Sequence, residues 1–282
     1  MTLYDRVAQE TASIVIRRYS TSFGLASRLL GPAVRQHVEN IYALVRVADE
    51  IVDGSGEAAG LDILATGQTL NALEAETELA IETGFSANLV VHAFALTARA
   101  TGFGAELTRP FFESMRMDLT ETEHDRASFE RYVYGSAEVV GLMCLRAFIK
   151  DEPVDDVPAL ETGARALGAA FQKVNFLRDL AADFDALGRS YFPGVRVDAF
   201  TEPDKLRLLD DIDADLAVSA AVLRQLPASS RRAVALAQSL FTELARRLRA
   251  TPASTLRTVR VRVPNPVKAR LALAAASGRL PS

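Results

Sequence analysis

Apolar residues recur at three- and four-residue steps along nearly the whole chain, beginning with Leu3, Val7 and Ile14. That is the period of amphipathic helices, not the two-residue alternation of strands. The spacing predicts one helix before the stretch STSFGLASRLL and a long one from Pro32 through Val52, since Pro suits the first helical turn and GSGEAAG follows as a stop. Further helices are predicted over 61–83, 87–101, 105–121, 128–149, 158–186, 203–225, 229–250 and 264–278, each bounded by Gly, Pro or Ser/Asp signals. The one alternating run, TVRVRV at 258–263, is isolated and reads as an extended connection. The pattern implies a single all-α domain spanning residues 1–282, with no repeat or low-complexity linker.

Composition narrows the function classes. With 282 residues, 49% of them hydrophobic, the chain can bury a sizeable core. A net charge of −4 gives no global positive field for nucleic acid, so nucleic-acid binding is not expected. Cys144 is the only cysteine, and with His37, His92 and His124 it forms no zinc-type cluster at ligand spacing. The N-terminus lacks a signal-peptide pattern, and no run of about 18 uninterrupted apolar residues marks a membrane span. These features predict a cytoplasmic protein that at most rests on a membrane surface.

Carboxylates carry the candidate chemistry. The chain has 18 aspartates and four Asp pairs at i,i+4, so spacing alone is weak and context must decide. Asp151/Asp155 lie beside Pro153 in an expected loop, and Asp211/Asp215 read as a solvated helix start. The other two pairs lie in apolar helical segments. In IYALVRVADEIVDG, Asp49 and Asp53 share a helix face where like charges repel, with Glu50 between them and Arg46 three residues upstream. In FQKVNFLRDLAADFDALGRSYFP, Gln172, Asn175, Asp179 and Asp183 form one polar stripe with Arg178 beside it. Hard divalent cations take carboxylate oxygens, and Mg²⁺ is usually held by one or two of them plus phosphate and water. Two such helices facing across a cavity would bind a diphosphate through the metal, with arginines on the remaining phosphate oxygens. The alternative is a solvated or salt-bridged acidic face.

The motifs YSTSFGLASRLLGPAVRQHVENIYALVRVADEIVD, MRMDL, YVYGSAEVVGLM and NFLRDLAADFDALGRSYFP resemble, in order and separation, those of the squalene and phytoene synthase family, and among its members bacterial phytoene synthases most. The resemblance implies an isoprenoid synthase-type helical bundle around a central cavity. It implies that Asp49, Asp53, Asn175, Asp179 and Asp183 hold Mg²⁺, with Mn²⁺ as a substitute, and the diphosphates. Arg46 and Arg178 would bind phosphate oxygens, and Glu50 would support the first cluster. Phe23, Tyr42, Tyr132, Gln172 and Tyr191 would line the reaction chamber.

Family chemistry, carried over as an expectation, joins two prenyl diphosphates head to head. One ionises to an allylic cation, the other attacks it to give a cyclopropylcarbinyl diphosphate, and ionisation, rearrangement and proton loss yield phytoene. A thin wall around Gly24, Ala26 and Ser27, one turn beyond Phe23, favours geranylgeranyl diphosphate and makes Ser27 a candidate substrate contact. No NADPH is expected. The rival readings are a farnesyl-using dehydrosqualene, squalene or hopanoid-pathway enzyme, and a non-catalytic accessory protein of the same fold. Two positions depart from the family pattern: Glu138 stands where a small residue is common, and Tyr19 where some relatives have His. The basic stretch RTVRVRVPNPVKAR, with Arg257, Arg260, Arg262, Lys268 and Arg270, is either a peripheral membrane contact or a solvated end.

Overall fold

The computed structural model describes residues 1–278 apart from 21, 54, 188 and 189; of residues 22, 57, 181–187 and 197 it describes the backbone alone. Fourteen α-helices follow one another among the described residues: α1 (Leu3–Tyr19), α2 (Ser22–Ser27), α3 (Pro32–Val52), α4 (Ser55–Ala58), α5 (Ile63–Thr83), α6 (Leu89–Thr101), α7 (Ala105–Thr120), α8 (Arg126–Val133), α9 (Val139–Ile149), α10 (Val157–Leu187), α11 (Glu202–Val222), α12 (Ala228–Ala250), α13 (Ala253–Leu256) and α14 (Asn265–Ala276). No strand occurs among the described residues, and the segment between α13 and α14 is irregular, as the isolated TVRVRV run predicts.

Local chemistry sets most boundaries. Thr2 and Asp5 form a reciprocal capping box at α1, and Thr201 and Asp204 do the same at α11. Asp62 and Asn88 cap α5 and α6, which both end on a glycine at positive φ, Gly84 and Gly102. Pro32 opens α3 in its first turn.

The predicted helix 128–149 is interrupted by a wide π-type turn over Tyr134–Glu138. A tertiary contact accompanies the interruption. Gly135 is buried against α7, where a Cβ would stand 2.1 Å from both the Pro110 carbonyl and the Ser114 hydroxyl. By length and hydropathy the stretch Arg126–Ile149 would pass as a membrane span, yet Val139, Met143 and Cys144 are part of the core.

Buried side chains form two main clusters. One draws on α1, α3, α5, α6, α7 and α9, around Ile41, Leu44, Phe94, Phe111 and Phe112. The other draws on α8, α10, α11 and α12, around Val174, Leu177, Leu209, Ile212 and Leu248. Helix α7 crosses between them: Met115 belongs to the first and Met117 to the second. The candidate site lies along this seam.

Lys205 is fully buried at the start of α11. Its ammonium donates to the Arg249 carbonyl at 3.0 Å and the Thr251 carbonyl at 2.5 Å, and pairs with Glu202 at 2.5 Å. It thereby closes the C-terminal end of α12, where unpaired carbonyls gather partial negative charge. Asp211 and Asp215, expected to be merely solvated, instead hold Lys173 of α10 at 2.6 and 2.8 Å, an ion pair between helices.

Candidate active site

The first acidic motif occupies the last two turns of α3. Arg46 reaches forward along the helix to Glu50, and its Nη1 stands 3.9 Å from Asp49. Tyr19, at the end of α1, presents its ring face to the same guanidinium, 4.6 Å from the ring centre. Tyr19, which stands where some relatives have His, thus meets this region with its π-face. Asp53 terminates α3, its N–H donating to the Asp49 carbonyl at 2.8 Å. Burial, with the neighbouring Asp53 and Asp118 carboxylates, pushes the Asp49 carboxyl up to about 7 against the opposing pull of Arg46.

Asp118 on α7 is the residue that sequence reasoning passed over, although MRMDL contains it. It is buried, and both its oxygens accept from the Tyr132 hydroxyl at 2.9 Å. Tyr191 donates to the same carboxylate at 3.3 Å. Burial, then the nearby Asp118 charge, lifts the Tyr132 phenol well above its ordinary range, so it remains a donor. Around these phenols is an aromatic box. Phe176 stacks on Tyr191 with centroids 3.9 Å apart, His124 also stacks on Tyr191 at 5.8 Å, and Phe129 and Phe192 complete the walls.

The second motif lies on α10, with Asp179 one turn beyond Phe176. Arg178 donates its Nε to Asp179 at 2.9 Å. Arg260, from the segment between α13 and α14, lies across the same carboxylate at 2.7 and 3.1 Å. The sequence alone places Arg260 in a basic stretch that is either a peripheral membrane contact or a solvated end. Its recruitment to Asp179 joins segments 81 residues apart in the chain, which meet only in three dimensions. Gln172 and Asn175 are half-buried on α10, and the Asp183 side chain lies outside the described residues.

The remaining candidates are spread around α2 and the α8–α9 turn. Phe23 stacks on Tyr42 with centroids 5.8 Å apart, and burial raises the Tyr42 phenol. Ser27 is buried and donates its hydroxyl to the Gly24 carbonyl at 3.0 Å, a bond within its own helix. Glu138 faces α10 and forms an ion pair with Arg165 at 2.7 Å, which supplies the partner a half-buried carboxylate needs.

Both motifs border the aromatic box: Asp49 feels the charge of Asp118, and Asp179 shares α10 with Phe176. Comparison with known proteins gives the family to which this arrangement belongs. The family model for squalene/phytoene synthase matches residues 16–266. The chain belongs to the squalene/phytoene synthase family. Among its relatives are a 15-cis-phytoene synthase of Paracoccus sp., 28% identical over 85% of this chain and 81% of that protein, and a phytoene synthase of Pseudescherichia vulneris, 30% identical over 83% and 80%. A 4,4'-diapophytoene synthase of Staphylococcus haemolyticus is 28% identical over 71% of this chain and 66% of its own. A dehydrosqualene synthase crystal structure superposes with TM-score 0.76 at 21% identity, covering 97% of both chains. The all-α isoprenoid synthase fold follows from that likeness, and the family is of prenyltransferase type.

Divalent metal suits the donors of this family member. The charges of Asp53 and Asp118 bear on Asp49, a repulsion that a cation would relieve, and the Arg46 Nε is buried with no hydrogen-bond partner among the described residues. Among the described side chains no three of Asp, Glu, His or Cys converge as a ready-made cage. Mg²⁺ needs none, because phosphate and water normally complete its shell.

Proposed function

We propose that the protein condenses two geranylgeranyl diphosphates head to head into phytoene through a cyclopropylcarbinyl diphosphate, as a 15-cis-phytoene synthase-type prenyltransferase of carotenoid biosynthesis. One arrangement carries this function: Asp49, on which the charges of Asp53 and Asp118 bear, stands beside the Arg46 guanidinium, whose buried Nε–H has no partner among the described residues. Such a carboxylate favours a bound divalent cation, and such an N–H favours a phosphate oxygen. The twenty-carbon donor is supported by the two phytoene synthase relatives, which match more than four-fifths of this chain.

Mg²⁺, or Mn²⁺ in its place, would be held by Asp49 and Asp53 on one side and Asn175, Asp179 and Asp183 on the other, and would supply charge neutralisation at the departing diphosphate. Arg46, Arg178 and Arg260 would grip phosphate oxygens with planar guanidinium forks. Tyr132 and Tyr191 hold Asp118 in a fixed rotamer and keep its charge hydrogen-bonded. Phe23, Tyr42 and Phe176 would offer aromatic faces to the carbocations, each worth about 2 kcal/mol when desolvated. Packed apolar walls would keep water from quenching those cations. Gln172 would orient substrate from the polar stripe of α10.

Purified protein incubated with Mg²⁺ and either geranylgeranyl or farnesyl diphosphate, with and without NADPH, tests the proposal by product mass. Phytoene from the twenty-carbon donor without NADPH is the expected result. A thirty-carbon product would move the chain to the branch of the diapophytoene synthase relative, and no product from either donor would refute the catalytic assignment.

A further inference from the structure

Two of the three histidines serve the packing of α1, α3 and α6: His37 bonds the Thr97 hydroxyl at 3.0 Å and His92 the Asp5 carboxylate at 2.9 Å. His124 does something else. It lies in the loop between α7 and α8, and its buried ring stands 5.2 Å from Tyr132 and 5.8 Å from Tyr191, centroid to centroid. Those two rings carry the hydroxyls that hold Asp118. The Tyr191 ring is nearly parallel to both of its stacking neighbours, 13° from His124 and 10° from Phe176.

Backbone and side chains together aim the imidazole. The Ser190 N–H donates to the Thr122 carbonyl at 2.7 Å, and Glu123 pairs with Ser190 in an isolated parallel bridge, so His124 is set beside Tyr191. In the first turn of α8 the Ser128 hydroxyl lies 2.6 Å from His124 Nδ1 and 2.7 Å from the Glu121 carboxylate. A carboxylate only accepts, so the single hydroxyl proton goes to Glu121 and the Ser128 oxygen accepts from Nδ1–H. Burial pulls the His124 imidazole below its ordinary pKa and favours the neutral ring with that proton on Nδ1. One ring is thus held by the three pieces of chain that supply Asp118, Tyr132 and Tyr191: α7 with its loop, α8, and the segment after α10.

We propose that His124 is a positioning residue of the candidate active site: its ring sets the planes of Tyr191 and Tyr132, and through their hydroxyls the orientation of the Asp118 carboxylate. Asp118 bears in turn on Asp49 of the first acidic motif. A tilt of the phenols therefore changes the field around the proposed diphosphate site without removing any group from it. Small displacements of this kind are costly, since a misplacement of about 1 Å can lower a rate on the order of a hundredfold. The kinetic consequence rests on the proposed function, whereas the coupling of the imidazole to the two phenols does not.

The chain has six tyrosines and no tryptophan, so carbon-13 at tyrosine Cζ gives six resonances that report their hydroxyl hydrogen bonds, and Y132F and Y191F assign the two that matter. H124A should move the Tyr132 and Tyr191 resonances in the direction in which D118N moves them, because both variants loosen the same bonds, and should leave Tyr4 in place. With Mg²⁺ and geranylgeranyl diphosphate, H124A should lower kcat about tenfold with KM within about twofold, the pattern of an interaction made in the transition state. H124F keeps a ring in the stack and should recover most of the loss. S128A frees the imidazole, leaves the Asp125 cap of α8 intact and should show both effects in smaller degree. Circular dichroism checks each fold, and S128A and H124F carry the test if H124A does not fold. Unmoved phenol resonances, shifted resonances with unchanged kcat, a rise in KM alone, or H124F no better than H124A would each overturn the proposal. If wild type forms no product from either donor, the proposed function falls and the resonances alone decide: a shift in the D118N direction upholds the positioning role, and unmoved resonances end it.

Discussion

The Arg260 guanidinium lies across the Asp179 carboxylate, Nε 2.7 Å from Oδ1 and Nη2 3.1 Å from Oδ2. Arg178 holds the same carboxylate from its own helix. A carboxylate clasped by two guanidiniums is poorly placed to ligate a cation. A diphosphate carries more charge and would draw both arginines to itself, freeing Asp179. Arg260→Ala is therefore expected to lower kcat/KM for prenyl diphosphate roughly ten- to hundredfold, the worth of one charge-assisted hydrogen bond. Steady-state kinetics decide, and unchanged kinetics would reduce Arg260 to a surface ion pair.

Asp53→Asn and Asp183→Asn should fold normally and lose Mg²⁺-dependent turnover. Neither substitution changes side-chain volume appreciably, and each removes one anionic ligand. The check is product formation against Mg²⁺ concentration alongside a thermal melt. Full activity in both variants would refute the metal assignment.

Tyr132 and Tyr191 hold Asp118 unequally. Tyr132 donates to both carboxylate oxygens at 2.9 Å and Tyr191 to one at 3.3 Å. Tyr132→Phe should cost about 1–3 kcal/mol of stability, the penalty for depriving a buried acceptor, and Tyr191→Phe less than about 1 kcal/mol. Urea denaturation of the two variants gives the order, and the reverse order would contradict this geometry.

Lys205→Met keeps the aliphatic stem and deletes the ammonium that serves Arg249 and Thr251. Leaving two carbonyls at the end of α12 without their donor should destabilise the fold by about 2–5 kcal/mol. Chemical denaturation measures it. A loss below about 1 kcal/mol would show that water replaces the ammonium there.

Asp5 anchors α1 to α6. The hydrogen bond from His92 at 2.9 Å, followed by that from the Thr2 N–H, holds its carboxyl down to about 2, below the usual 3.8. A depressed carboxylate contributes stability that is complete above pH 3.8 and disappears as pH falls toward 2. Acid melts between those values should show this loss, and Asp5→Asn should flatten that part of the profile. An unchanged acid limb in the variant would assign the loss to other groups.

Much of the architecture was legible because it is short-range. The bounds of α3, Pro32–Val52, follow from a proline, an apolar period and a glycine-rich stop within one stretch of chain. The i,i+4 placement of Asp49 and Asp53, and of Asp179 and Asp183, is likewise a property of a single helix. The family motifs needed only their order along the chain.

Tertiary structure decided the rest. The break at Tyr134–Glu138 comes where Gly135 meets Pro110 on another helix. Asp118 gained its place through Tyr132, 14 residues away, and Tyr191, 73 residues away. Arg260 reached Asp179 across 81 residues and left the basic stretch to which its neighbours in sequence assigned it. Helix formation is governed by neighbours within a turn or two, so the sequence by itself determined the elements and the carboxylate spacing. Which charges compensate one another is set by packing between elements far apart in the chain, and no local pattern encodes that pairing.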